Sequence, residues 1–582
     1  MVQTFKNHVS IYSWSLGNES GFGASHAAMY GFIKEYDKDR LCQYEAGGPP
    51  KNISDIRGNM YAPISSIETM AADIIDDRPI IMVEYLYQIC NSGGGLYKFN
   101  DLIDKYQRFQ GGYIWDWQDK SLIAHTDDGR LFYGYGGDFN EDYTDEDNPP
   151  YMTNNGIVMP DLTWKPVACE VRHTYSPIQI KEPESTAWSR TYPYEGRYIF
   201  INKSSTRPMS DFSVLMQIKE NGYVISEEKL NMPEIMPGCS KEITPDISFE
   251  RRNGCEYYID FIVSEKEKQW YSEDGDIVIH SQFELNGYNY RQSAPRMQYP
   301  LYMYDDTDIL TINISKYRYF ISKQTSEILS VAYDNLLCLE NSIRPCFSRP
   351  RSGIDCCPNW GAYDEYHIAD KLSTDVVFNG VMRNEKSAVV LFEHTYTVSG
   401  KPFGNAKLLY MINEDGTLTT EYTVSVLPKL LPRIGLELII PGGFEKLSYY
   451  GRGENENYPD RKSCTPIGIY SSNVSDLQFQ YNPPSENGGH EDCRWTEFRS
   501  ESRIIRFTGM SPFHFDAHHY PISACNAAHD HEIARTPEVY FHIDAAHSQI
   551  GSDMAWSSQL DESLNIGRKT YHLGFEIFIG SV

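Results

Sequence analysis

The N-terminal part of the chain alternates between short apolar runs and stretches with helical periodicity. The run IYSWSLGNES (11–20) predicts a buried strand, because it is rich in apolar, β-branched and aromatic residues and ends in a Gly-Asn turn. Apolar residues then recur at every fourth position from Ala24 to Tyr36, which predicts a helix. By the same criteria strands are predicted near residues 10–16, 41–44, 55–60, 79–83 and 111–116.

Helical segments lie between the later predicted strands. IETMAADII (67–75) and LYKFNDLIDKYQRF (96–109) both carry a helical pattern. Strand–helix alternation at this spacing is typical of a parallel sheet with right-handed crossovers. In a (β/α)8 TIM barrel the predicted strands would be strands 4–8, and three strands would be unaccounted for.

After about residue 175 the helical periodicity gives way to short alternating segments between turns. RYIFINK (197–203) and FSVLMQIKE (212–220) are of this kind, and the pattern is typical of antiparallel β-sandwiches. The predicted fold class is therefore multidomain, α/β plus all-β. The expected domains are a partial TIM barrel at 1–175, an immunoglobulin-like β-sandwich at 176–287 and a large β-sandwich at 288–582.

The composition of the chain says more about its possible binding partners than about its fold. Acidic residues exceed basic ones by 28, a charge that disfavours binding to nucleic acid or to an anionic membrane. No apolar run approaches the ~18 residues of a membrane-spanning helix. Aromatic residues make up 13% of the chain, which suits stacking on sugar rings but equally suits a β-rich protein. Composition leaves both interpretations open.

The cysteines and the N-terminus bear on the cellular compartment. The 12 cysteines are scattered irregularly and form no Cys-x-x-Cys pair, which argues against a zinc ribbon or a disulfide scaffold. Residues 1–10 do not have the pattern of a signal peptide, and the chain enters a buried strand almost at once. We therefore expect the native N-terminus to be missing, and both the cytoplasm and the periplasm stay open.

Two glutamates occupy comparable positions in the predicted barrel. Glu19 follows the first predicted strand and Glu84 ends the fourth. Residues at the C-terminal ends of barrel strands converge on one mouth, and a retaining glycosidase needs two carboxylates about 5–5.5 Å apart. A glutamate after a strand is more often a surface charge, so position alone does not assign these roles.

The sequence around both glutamates is more specific. WSLGNESG (14–21) resembles the acid/base motif of glycoside hydrolase family 2, which contains β-galactosidases, β-glucuronidases and β-mannosidases. PIIMVEY (79–85) and QGGYIWDWQDKSL (110–122) resemble its nucleophile region and the strand that follows. The resemblance implies that Glu19 is the general acid/base and Glu84 the nucleophile of a double-displacement reaction.

The same resemblance implies a set of substrate-binding residues. Asn18 would bind the sugar 2-hydroxyl, and Tyr61 would contact the nucleophile. Trp115 would form a hydrophobic wall of the glycone pocket. Tyr87 stands where the family has a histidine that contacts the galactose 6-hydroxyl, which makes the glycone less certain. Core packing is an alternative role for each of these aromatic residues.

The resemblance continues into the C-terminal half of the chain. YYGRGENENYPDR (449–461), PPSENGG (483–489) and HIDAAHSQIGSDMAWS (542–557) resemble the large, galactose mutarotase-like sandwich of long-form β-galactosidases. Trp556 would be an aromatic residue that reaches the active site. The implied substrate is a terminal β-D-galactoside. Another β-linked glycone and a non-catalytic carbohydrate-binding chain are the alternatives, and a homo-oligomer is compatible with either.

Metal binding is expected to depart from the family pattern. The family enzymes use Mg²⁺ and Na⁺, but only Glu19 of the magnesium site is present here. Asn155 could supply one sodium ligand, although Met152 stands where the family often has Phe. We expect neither ion to be fully bound and hydrolysis by this chain alone to be weak or absent, unless another polypeptide completes the barrel.

A histidine-rich segment offers a further candidate metal site. HFDAHH (514–519), together with His529 and His531, contains residue types that bind transition metals. The spacing is not diagnostic of one metal, and the segment lies in a predicted sandwich. We therefore interpret these histidines as surface or interstrand residues.

Overall fold

The computed structural model describes residues 1–144, 149–183, 196–246, 248–290, 299–356, 371–383, 387–551 and 561–582. The chain divides into two compact units. The first comprises Met1–Val167 and two later segments that begin at Arg351 and Ile550, and the second contains most of the remaining chain. None of the described helices is long and apolar enough to span a membrane.

The first unit contains a parallel sheet of five strands in sequential order. These strands are β1 (Ser13–Ser15), β2 (Leu41–Tyr44), β3 (Ile56–Met60), β4 (Ile80–Tyr85) and β5 (Phe109–Ile114). A hairpin follows, formed by β6 (Leu122–His125) and β7 (Leu131–Gly134). The helices of the first unit are Val2–Phe5, Ala24–Tyr36, Ile64–Ala72, Leu96–Lys105 and Gly353–Cys356. All five predicted strands are present, and the most apolar of them, β4, is also the one whose residues are most often buried.

The connections explain why this sheet is parallel. Helix Ala24–Tyr36 returns the chain from β1 to the start of β2, and helices Ile64–Ala72 and Leu96–Lys105 do the same for β4 and β5. Such crossovers leave all five strands pointing the same way, so their C-terminal ends share one edge of the sheet. Residues immediately after these strands are therefore brought close together.

The second unit begins with a small β-sandwich. A four-stranded sheet in the order β11-β10-β13-β14 and a three-stranded sheet in the order β12-β9-β8 enclose an apolar core. The strands are β8 (Ile178–Lys181), β9 (Tyr198–Asn202), β10 (Phe212–Glu220), β11 (Tyr223–Lys229), β12 (Ser240–Ile243), β13 (Tyr257–Glu265) and β14 (Ile277–Asn286). Helix Pro166–Thr174 and the 3-10 turn Met209–Asp211 lie beside these strands in sequence.

The rest of the second unit is one large antiparallel sheet system of 16 strands. The strands are β15 (Leu301–Asp305), β16 (Ile309–Ile314), β17 (Tyr317–Ser322), β18 (Ile328–Tyr333), β19 (Leu336–Cys346), β20 (Leu372–Arg383), β21 (Ala388–Val398), β22 (Lys401–Ile412), β23 (Leu418–Val426), β24 (Arg433–Ile440), β25 (Lys446–Arg452), β26 (Ile467–Asn473), β27 (His490–Arg499), β28 (Arg503–His518), β29 (Val539–His547) and β30 (Thr570–Ser581). Short helical turns are Val474–Leu477, Ile522–Asn526, Asp530–Glu532 and Glu562–Leu564. The combination of a parallel α/β sheet with sandwich-forming antiparallel sheets agrees with the predicted fold class.

Candidate active site

The carboxylate of Glu84 is held by Tyr61 at the C-terminal edge of the parallel sheet. Glu84 lies near the end of β4, and Tyr61 directly follows β3. The Tyr61 hydroxyl donates a 2.8 Å hydrogen bond to Oε2 of Glu84, and the Tyr61 backbone N–H donates to the Glu84 carbonyl at 3.0 Å. Both the orientation of the carboxylate and its distance from the tyrosine are thereby fixed.

The surroundings of Glu84 change its affinity for a proton. Burial raises the pKa of Glu84 above its ordinary value, while the hydrogen bond from Tyr61 lowers it. The negative charges of Glu19, Glu45 and Asp116 raise the pKa further. Glu84 therefore lies within electrostatic reach of three other carboxylates, and the net direction of its pKa is upward.

Glu19 follows β1 and is fixed through its backbone. Its N–H donates a 2.9 Å hydrogen bond to Oε1 of Glu45, and the N–H of Ser20 donates to the Tyr44 hydroxyl at 2.9 Å. Glu19 has a φ of 48°, in the left-handed region that residues other than glycine seldom adopt. The two hydrogen bonds hold this turn while the Glu19 side chain stays exposed.

Glu45 is a functional candidate that the sequence analysis missed. It directly follows β2, and it is 7% exposed. A Cβ on Gly58, in neighbouring β3, would lie 3.1 Å from the Cα and Cβ of Glu45, so a glycine there allows the close approach. The signal was present in LCQYEAGG (41–48), where a glutamate ends a short strand as Glu84 does.

The other predicted substrate-binding residues have different environments. Asn18 is exposed beside Glu19. Trp115 directly follows β5, is 40% exposed, and donates its backbone N–H to the Tyr85 carbonyl at 3.0 Å. Trp556 lies outside the described residues. The parallel sheet thus places Glu19, Tyr61, Glu84 and Trp115 at one edge.

Tyr87 is buried, and its hydroxyl is already engaged. The Tyr87 hydroxyl donates to the Met152 carbonyl at 2.8 Å. The Tyr87 ring also packs edge-on against Tyr61, with ring centroids 6.2 Å apart. The phenol therefore links the turn around Tyr61 to the segment around Met152.

Asn155 also has its side-chain oxygen engaged. Lys120 Nζ donates to Asn155 Oδ1 at 2.7 Å and pairs with Asp116 Oδ2 at 2.5 Å. The same Nζ lies 5.6 Å from the centre of the Trp115 ring. An ammonium group therefore contacts the side-chain oxygen of the residue that the sequence predicts as a sodium ligand.

A buried ion pair lies next to this group. Asp119 and Lys165 are nearly inaccessible to solvent, and Lys165 Nζ lies 2.7 Å from Asp119 Oδ1. The N–H of Gly156 donates to the same oxygen at 2.8 Å. A Cβ at Gly156 would lie only 2.3 Å from the Asp119 nitrogen, so only glycine permits this contact. The pair fixes the backbone next to Lys120.

In the described part of the chain, Glu19 does not belong to a group of three metal-ligating side chains that could hold magnesium. Among the described residues, the one group of three close metal-ligating side chains is His514, Asp516 and Asp544 in the second unit. Glu19 supplies a single carboxylate, and its neighbour Glu45 already accepts the Glu19 N–H. These residues alone do not fit a magnesium ion.

The His514 group is an ionic cluster on adjacent strands. Arg433 on β24 forms ion pairs with Asp516 on β28 and with Asp544 on β29, the latter at 3.0 Å. His514 Nδ1 lies 2.8 Å from Asp544 Oδ2. All four side chains are buried, so the interpretation of HFDAHH as interstrand histidines holds for His514 and a surface position does not. The guanidinium thus pairs with both of the carboxylates that a metal would need and offsets part of their negative charge.

Comparison with known families covers most of the chain. The family described as "Glycosyl hydrolases family 2, TIM barrel domain" matches residues 1–180. "Beta-galactosidase, domain 4" matches residues 198–286, and "Beta galactosidase small chain" matches residues 313–577.

Curated relatives align with nearly the whole chain. The Beta-galactosidase of Psychromonas ingrahamii is 29% identical, and the alignment covers 98% of this chain and 57% of the relative. That of Leuconostoc mesenteroides is 28% identical over 99% of this chain and 57% of its own length. That of Pseudoalteromonas haloplanktis is 28% identical over 98% and 56%, respectively. The chain spans a little over half the length of the curated relatives it matches.

Proposed function

Because the chain belongs to glycoside hydrolase family 2, we propose that its barrel domain removes terminal β-D-galactose with retention of configuration. The observation that carries this proposal is the Glu84 carboxylate, held by Tyr61 and within electrostatic reach of Glu19. Retaining glycosidases need such a pair of carboxylates, one nucleophilic and one able to exchange a proton.

The proposed reaction has two steps. In the first, Glu19 donates its proton to the glycosidic oxygen while a carboxylate oxygen of Glu84 bonds to the anomeric carbon, and the bond to the leaving group breaks. In the second, Glu19 takes a proton from water, the water oxygen bonds to the anomeric carbon, and the ester bond to Glu84 breaks. Tyr61 orients the Glu84 carboxylate, and Glu45 positions the backbone of Glu19.

The structure also favours a second candidate for the glycone, the sugar that the enzyme removes. Tyr87 stands where the resemblance expects a histidine on the sugar 6-hydroxyl, and its own hydroxyl donates to Met152. This hydrogen bond favours a second candidate, a family 2 β-glycosidase that accepts another glycone. A panel of nitrophenyl β-glycosides separates the two: the largest kcat/KM for the galactoside supports the first, and the largest for a different sugar supports the second.

We also propose that this chain alone hydrolyses weakly or not at all. Within the described sheet, β1 and β5 each pair with a strand on one side only, which leaves both sheet edges open. The test compares nitrophenyl β-galactoside hydrolysis with and without a polypeptide that carries the first barrel strands of a curated relative. We expect turnover to appear on mixing. A normal rate from the chain alone contradicts the proposal of weakness. Sugar binding without turnover in the mixture supports a carbohydrate-binding role instead.

A further inference from the structure

Lys120 places a positive charge among oxygen atoms at the edge of the parallel sheet. Its Nζ contacts Asp116 Oδ2 at 2.5 Å and Asn155 Oδ1 at 2.7 Å. It also lies over the ring of Trp115, at a distance at which a cation and an aromatic face attract each other. A carboxylate, an amide oxygen and an aromatic ring thus surround one ammonium group.

The oxygens near Asn155 do not fit a sodium ion. Sodium is bound through oxygen lone pairs, but Asn155 Oδ1 and Asp116 Oδ2 already contact the Lys120 ammonium, at 2.7 Å and 2.5 Å. A sodium ion beside Asn155 would also meet the positive charge of Lys120 a few ångströms away. The one oxygen that the resemblance implies as a sodium ligand is therefore already in contact with an ammonium group of the chain itself.

The backbone around Lys120 is fixed by several hydrogen bonds. The Asp116 N–H donates to the Asn155 carbonyl at 2.8 Å, and the Lys120 N–H donates to the Thr153 carbonyl at 3.0 Å. The buried ion pair of Asp119 and Lys165 also holds the backbone next to Lys120 in place. Lys120 therefore extends from a rigid frame, and its ammonium reaches Asn155 without any rearrangement of the backbone.

We infer that the Lys120 ammonium takes the place of a sodium ion at Asn155, so that this chain binds its sugar without sodium. An ammonium has three N–H donors, and the contacts with Asp116 and Asn155 use two of them. The third can donate to a sugar hydroxyl, and Trp115 provides an apolar face nearby. This assignment rests on the proposed glycosidase function for the identity of the ligand, but not for the exclusion of sodium.

The first arm of the test needs no sugar. Thermal unfolding of the chain is compared in equal concentrations of sodium, potassium and choline chloride. We expect the same melting temperature in all three. In Lys120→Gln the carboxylate of Asp116 and the amide of Asn155 lose the ammonium, so we expect sodium alone to raise the melting temperature by about 2 °C or more. Lys38→Gln, an exposed residue of the same unit, is the matched control and should respond as the unaltered chain does.

The second arm measures galactose binding by calorimetry in sodium and in choline chloride. We expect equal affinities for the unaltered chain and a loss of about tenfold in Lys120→Gln, since a charged hydrogen bond is removed. A sodium-specific rise in the melting temperature or the galactose affinity of the unaltered chain overturns the inference, and so does a Lys120→Gln variant that gains no sodium response. If the first arm gives the expected result and no galactose binds in either salt, the assignment of a sugar hydroxyl to the third N–H of Lys120 fails and the replacement of sodium stands; the glycosidase proposal is tested separately by turnover on mixing.

Discussion

The backbone N–H of Glu19 donates a 2.9 Å hydrogen bond to Oε1 of Glu45, a buried carboxylate at the end of the neighbouring strand. This contact joins the turn that carries the proposed acid/base to the strand beside it. The negative charge of Glu45 also raises the pKa of Glu84. Glu45 thus acts on both proposed catalytic groups without being one of them.

Substitution of Glu45 separates these two effects. Glu45→Ala removes the acceptor for the Glu19 N–H, and we expect kcat to fall about 100-fold, because small displacements of a catalytic group are costly. Glu45→Gln keeps an oxygen acceptor but loses the charge, so kcat should change much less. Loss of the charge lowers the pKa of Glu84, and the acid limb of the pH profile should move to lower pH.

The measurement is the pH dependence of kcat/KM in the chain mixed with a polypeptide that carries the first barrel strands of a curated relative. Glu35→Gln, on an exposed helix position, is the matched control and should leave both kcat and the acid limb unchanged. Equal losses in Glu45→Ala and Glu45→Gln, with no movement of the acid limb, would show that the hydrogen bond and the charge do not act as described.

Tyr61→Phe removes the hydrogen bond to Glu84. This bond lowers the pKa of Glu84, so its loss raises the pKa and makes the ionised nucleophile scarcer at low pH. We expect the acid limb of kcat/KM to move to higher pH, with a loss of about tenfold or more below the limb. An acid limb that stays in place, or moves to lower pH, contradicts the role assigned to Tyr61.

Substitution of Arg433 in the second unit is expected to lower the free energy of unfolding by a large amount. Arg433→Met leaves Asp516 and Asp544 buried without their counter-charge. Breaking a buried ion pair on one side costs about 3–5 kcal/mol, and we expect the free energy of unfolding of the large sandwich to fall by this amount. Chemical denaturation measures it. Arg318→Met, at an exposed position of β17, is the control, and a similar small loss in both variants would contradict the prediction.

The sequence predicted the parallel sheet well because its strands are continuous apolar runs between helical segments. PIIMVEY (79–85) is an example: it predicts a strand near 79–83, and β4 spans Ile80–Tyr85. Glu19 and Glu84 were predicted as catalytic residues because the sequence motifs around them are specific to glycoside hydrolase family 2. The five strands of the parallel sheet, which the structure confirms, are features that local sequence determines, whereas the roles of Glu19 and Glu84 stay predictions.

The contacts that were missed depend on strand register and on distant segments. Arg433, Asp516 and Asp544 meet only because β24, β28 and β29 are neighbours in the sheet, although they are far apart in sequence. Lys120 meets Asn155 through a junction of two loops that no periodicity reveals. Glu45 carried a local signal, a glutamate ending a strand, but one residue of this kind is too common to assign a role.

Trapping the glycosyl enzyme would show directly whether Glu84 is the nucleophile. A 2-deoxy-2-fluoro-β-galactoside with a good leaving group slows the second step more than the first and accumulates the glycosyl enzyme. The measurement is peptide mass spectrometry of the chain, mixed with a polypeptide that carries the first barrel strands of a curated relative and treated with this reagent. We expect one added fluorosugar on the peptide that contains Glu84, and none in Glu84→Gln. A fluorosugar on Glu19, Glu45 or Asp116 instead would contradict it.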